Sequence, residues 1–148
     1  MTNAREHVMR IRRNPPGLRV GVNEEMIRAL VHDFYARVRE DNRLGPVFAA
    51  VIGDDWDTHL DKMCDFWSSV LLLTARYNGK PMVKHVGIED IDRALFLHWL
   101  ELFRATARET CPPEAAELFI DRAERIADSL AMGVAFARGE VPRPLSET

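Results

Sequence analysis

Only two cysteines occur in 148 residues, Cys64 and Cys111, and neither lies in a C-x-x-C spacing. That scarcity removes a zinc-ribbon or disulfide scaffold and leaves two thiols suited to packing in a reduced compartment. Thiol redox chemistry lacks its usual spacing as well. No stretch of about 18 apolar residues is present, so no segment reads as a membrane span. The basic start carries no apolar run, with Met9 and Ile11 set among arginines, so it is not a secretory leader. A net charge of −3 and a pI near 6.0 give no general reason to expect a nucleic-acid partner. Period-two alternation, internal repeats and low-complexity tracts outside the two ends are absent too. The expectation is a cytoplasmic protein without strands.

The composition that remains, 47% hydrophobic and 29% charged, suits one globular domain with a sizeable core. Charge is distributed unevenly. Residues 1–20 hold Arg5, Arg10, Arg12, Arg13 and Arg19 against Glu6, a net +4, which leaves about −7 for the rest. Pro15-Pro16-Gly17 stops a helix and favours an extended linker. We therefore expect a flexible basic arm over 1–20 whose removal changes little. An Arg-rich, acid-poor start also fits organellar targeting. The domain proper is expected over 21–134, and a disordered tail with Pro142 and Pro144 over 135–148.

The apolar period is helical throughout. Asn23 is an N-cap candidate, followed at spacings of three and four by Met26, Ile27, Leu30, Val31, Phe34, Tyr35 and Val38. Asn42 through Pro46 breaks that helix and places Phe48 in a connection. Asp54 or Asp55 caps a second long helix bearing Trp56, His59, Leu60, Met63, Phe66, Trp67, Val70 and Leu71. Turn chemistry over Tyr77–Pro81 leaves room only for a short helical piece from Met82 to His85 before Gly87. A third long helix from Asp90 or Asp92 to Glu109 carries Leu95, Phe96, Trp99, Leu100 and Phe103. Pro113 suits the first turn of a last helix, which Gly133 can end.

A short histidine-bearing helix between two long ones, with aromatic and polar residues converging on the centre, is an odd design for a plain bundle. Phe34-Tyr35, His59-Leu60-Asp61-Lys62-Met63 and Pro81-Met82-Val83-Lys84-His85 together resemble the truncated haemoglobins of the third group, over about Gly21 to Gly133. The glycine pairs that mark other truncated haemoglobin groups are absent, which fits the third. The resemblance implies an all-α fold, the two-over-two helical sandwich of the truncated globins, with His85 as proximal ligand of a haem iron. Neutral imidazole suits that task, and its second ring nitrogen can donate to a backbone carbonyl.

On the other side of the haem the same resemblance implies Tyr35, His59 and Trp99 around the gas, His59 at the pocket mouth as a gate. A phenol or indole donor in a dry pocket stabilises partial negative charge on bound dioxygen. Phe48 and Trp67 match positions where aromatic rings pack near the porphyrin. Lys62 matches a cation able to reach a propionate, with Tyr77 and Lys84 as weaker counterparts. Met63 stands where a branched aliphatic residue is the easier expectation, and its thioether fills pocket volume. Met82 completes the pocket set. His7, His32 and His98 are poorer iron ligands.

No C-x-x-C-H occurs, so covalent haem attachment is not expected and the cofactor is haem b, held by His85, apolar contacts and propionate pairing. Reversible binding of O2, CO or NO then follows. The resemblance leaves open oxygen binding or transport, NO dioxygenase activity and peroxidase-like catalysis using His59 and Tyr35. With no reductase domain expected in this sequence, sustained oxidation is expected to call on an external one. The rival from another class is a haem-free helical interaction domain whose arm binds a partner; colour in the purified protein separates the two.

Overall fold

The computed structural model describes residues 15–79, 91–141 and 143–145, and every regular element among them is helical. The elements are α1 (Pro16–Arg19), α2 (Glu24–Glu40), α3 (Leu44–Ile52), α4 (Trp56–Leu72), α5 (Arg93–Thr110) and α6 (Pro113–Ala137). Helix α2 packs on α4 and α5, and α5 on α6, which is the two-over-two sandwich. Phe34, Phe103 and Phe119 are its largest fully buried side chains. The short helix expected from Met82 to His85 lies outside the described residues.

Two starts obey simple capping chemistry. The Asn23 side chain accepts from the Met26 N–H, and that of Asp92 from the Leu95 N–H, both at 2.8 Å. Asp41 performs the same service for α3, its Oδ1 accepting from the N–H groups of Arg43 and Leu44 at 2.9 Å. Its other oxygen meets His98 Nε2 of α5 at 2.7 Å, so one carboxylate pins the α2–α3 corner to the third long helix. Burial alone would raise the Asp41 carboxyl; the Leu44 N–H, the His98 ring and the Arg43 N–H outweigh it and hold the group below its ordinary value.

Three segments depart from sequence-based expectation. Phe48 lies inside α3 rather than in a connection, because Pro46 falls in the helix's first turn, where no partner for an N–H is needed. Gly45 lets that helix press on α2: a Cβ there would stand 2.9 Å from the Arg39 carbonyl oxygen. At the far end Gly133 does not stop α6, which continues to Ala137 and buries Val134. The chain then folds back, with Leu145 buried, its N–H bonded to the Asp128 carboxylate, and Arg93 donating to the Pro144 carbonyl at 2.8 Å.

The third departure is at the entry. Pro16–Arg19 forms a helical turn on α4, where an extended linker was expected. Pro16 sits in the first turn, and Gly17 packs so tightly that a Cβ would stand 2.8 Å from the Leu71 carbonyl oxygen. Gly17→Ala should therefore cost about 1–3 kcal/mol, the scale of overpacking. Deleting residues 1–20 would remove this same seat. Urea denaturation of the variant measures the loss, and an unchanged midpoint would show that α1 does not need its contact with Leu71.

Candidate functional site

Between the helices lies a cavity of about 440 Å³, within the roughly 300–1,000 Å³ usual for cofactor sites. Its walls are mainly apolar: Leu44, Val47, Phe48, Val51 and Ile52 from α3, Met63, Phe66 and Trp67 from α4, Leu95 and Phe96 from α5, Ile126, Ala127 and Leu130 from α6. Of the residues singled out in the sequence, Tyr35, Phe48, His59, Lys62, Met63, Trp67, Tyr77 and Trp99 all border it. His85, Met82 and Lys84 lie outside the described residues. Tyr77 and Ile91, on either side of that segment, both border the cavity.

Tyr35 comes from the buried stripe of α2 and is 6% exposed. Its hydroxyl has no hydrogen-bond partner among the described residues. Burial pushes the phenol well above its ordinary value, so it remains an O–H donor. His59 stands edge to face with Tyr35, ring centres 4.8 Å apart at 89°, and its Nε2 is shielded from solvent. Trp99 reaches the wall from α5, edge to face with Phe34 at 5.4 Å. Phe103 is stacked between Trp99 and Trp67, at 5.4 and 5.3 Å, with planes within 17°. The polar groups thus sit on rings whose planes are fixed by neighbours.

At the rim, Lys62 is exposed beside Asp55 and Thr58. Tyr77 is set by a sharp corner at the end of α4, where Leu73 and Ala75 adopt positive φ of 54° and 58°. Such backbone costs energy in residues other than glycine. The corner is tied by Ser68, whose hydroxyl meets Glu24 at 2.7 Å and Thr74 at 2.8 Å, and by an Arg76–Glu24 ion pair at 3.0 Å. The Tyr77 N–H then donates to Ser69 Oγ at 2.9 Å, and its ring meets Phe66 edge to face. Burial raises the Cys64 and Cys111 thiols, which keeps both protonated and fits a packing role.

Sequence reasoning missed Trp56 as a member of this group. It is 8% exposed and lies edge to face with His59 at 5.7 Å, with the Arg39 guanidinium 4.7 Å from its ring centre. The signal was available, since Trp56 precedes His59 by one helical turn.

Against known proteins, the family model of the bacterial-like globins matches residues 19–132. The group 3 truncated hemoglobin ctb of Campylobacter jejuni is 35% identical over 109 residues, covering 72% of this chain and 86% of that protein. The chain belongs to the group III truncated haemoglobins. A crystal structure of group III truncated hemoglobin from Campylobacter jejuni matches this globin with a TM-score of 0.71 at 34% identity, covering 74% of this chain and 89% of that one. Membership makes it a haem-binding, gas-binding protein. The cavity fits that cofactor in kind: apolar walls for a macrocycle, buried donors within, and a lysine at the rim for a carboxylate. No helix among the described residues is long and apolar enough to cross a membrane.

Proposed function

We propose that this globin is a b-type haem protein that reversibly binds O2 and other diatomic gases, with His85 as the proximal iron ligand and Tyr35, His59 and Trp99 on the gas-binding side. The observation that carries the reading is Tyr35, buried in the wall of a 440 Å³ apolar cavity, edge to face with His59 and on the same cavity as Trp99; burial raises its phenol, which favours the O–H form. When bound, the haem iron would supply the metal centre that takes up the gas.

The chain's own residues do the rest. Tyr35 presents a buried O–H, whose hydrogen bond to a partly charged ligand meets little competition from water, and the partly buried Trp99 offers an indole N–H from α5. His59 guards the mouth. Lys62 pairs with a propionate at the rim, assisted by Tyr77 and Lys84, while Phe48, Met63, Trp67 and Met82 give the porphyrin apolar contact. The absence of a C-x-x-C-H run supports haem held without covalent attachment. Titrating the purified chain with hemin should give an intense Soret band saturating at one haem per chain. A chain that stays colourless would favour the haem-free helical domain.

A further inference from the structure

His59 sits in a box of three aromatic rings. Tyr35, Trp56 and Phe48 meet it at 4.8, 5.7 and 6.4 Å, with planes turned 89°, 87° and 69° from its own. Tyr35 and Phe48 border the cavity themselves and pack on each other at 5.9 Å. Trp56 does not border it. It is a buried plate whose ring is held on one side by the guanidinium of Arg39, an exposed residue in the last turn of α2. We infer that Trp56 is the backstop that positions His59 and that Arg39 clamps this backstop, so the two residues set how fast diatomic ligands enter without touching ligand or haem.

To leave its place the imidazole must break its edge contacts with these three rings, and rings in edge-to-face contact attract one another. Two of those rings are fixed as cavity wall: Tyr35 is wedged against Phe34 at 5.0 Å, and Phe48 lies within α3. Trp56 occupies the first helical position of α4, where no intrahelical hydrogen bond holds its N–H. Its order depends on side-chain contacts, and the cation over its face is one of them. Arg39 has no ion pair among the described residues, so its guanidinium is not drawn away from the ring by a carboxylate.

This inference rests on the haem reading above. The experiment is flash photolysis and stopped-flow mixing on the holoprotein, wild type against Arg39→Met and Trp56→Leu, each also made on a His59→Ala background. Arg39→Met keeps an unbranched side chain at an exposed position and removes the guanidinium with its charge, so its folding is not in question. It should raise CO and O2 association rates together, by roughly two- to fivefold, the scale of one exposed cation–π contact. Trp56→Leu should raise them further, and the ratio of O2 to CO dissociation rates should stay as in wild type.

On the His59→Ala background both effects should vanish, since the residue through which they act is gone. In proton NMR of the CO-bound protein, the His59 ring signals should move toward the position of free imidazole in Arg39→Met. A merely structural role would leave those signals in place. Unchanged association rates in both variants, or an effect of equal size surviving on the His59→Ala background, would overturn the inference. Failure to take up hemin shows separately, as a missing CO spectrum, and would overturn both this inference and the haem reading.

Discussion

Changing His85 to alanine should leave a folded chain that holds haem weakly or not at all. The proximal bond is the one strong directional link proposed between protein and cofactor, and the remaining contacts are apolar packing and rim charges. Losing a hydrogen-bond partner one step removed from a bound metal already costs about 10–100-fold in affinity, so losing the ligand itself should cost at least that. Added imidazole should restore part of the spectrum by entering the space left behind. Hemin transfer to a competing apoglobin measures the loss. If the variant kept wild-type affinity while His59→Ala lost it, the two faces of the pocket would be exchanged.

Tyr35→Phe and Trp99→Phe should each speed the release of O2 and leave CO nearly unaffected. A polar contact to a partly charged acceptor in a dry site is worth about 1–3 kcal/mol, and about 1.4 kcal/mol is a factor of ten. Removing one donor should therefore raise the O2 dissociation rate on the order of tenfold or more. Bound CO is less polar, so it serves as the control for packing. Tyr35 is the cleaner of the two substitutions: it is buried, the loss is one oxygen atom, and the ring that supports His59 at 4.8 Å stays in place. Stopped-flow release from both ferrous variants decides the matter. Equal changes for O2 and CO would mean altered access, and unchanged O2 release in both would end the polar-trap mechanism while leaving the haem assignment standing.

How far the sequence foretold this molecule depends on the range of the forces involved. The three-four spacing of apolar residues located α2, α4, α5 and α6, because burying a stripe is a property of the helix alone. Asn23 was legible as a cap for the same reason, since cap and N–H are three residues apart, and of the two starts open for α5, Asp90 and Asp92, it is Asp92 that caps. What escaped depends on partners distant in the chain. Pro15-Pro16-Gly17 reads as a linker until Leu71, far along the sequence, offers Gly17 a seat. Gly133 reads as a terminator until Val134 finds core to bury against. The positive-φ corner at Leu73 and Ala75 has no glycine to announce it and is tied through Ser68 to Glu24, 44 residues away. His98 looked idle because Asp41, its partner, lies 57 residues away in the corner between α2 and α3.

Within the site, eight of the residues marked in advance share one cavity, and that grouping came from family resemblance rather than from spacing. Trp56 was overlooked because its stripe position suits a core residue equally well, and only the ring contacts with His59 and Tyr35 set it apart.

The column of Trp67, Phe103 and Trp99 couples two walls mechanically. Its end members border the cavity from α4 and α5, while the middle ring is 1% exposed and touches no part of it. Three nearly parallel plates in a close-packed interior transmit a push better than they absorb one. One wall therefore cannot retreat to admit a bulkier guest unless the other moves with it. The pocket's tolerance for size is governed by a residue that no guest ever meets, and an engineer wishing to widen this cavity would begin at Phe103 and not at its lining.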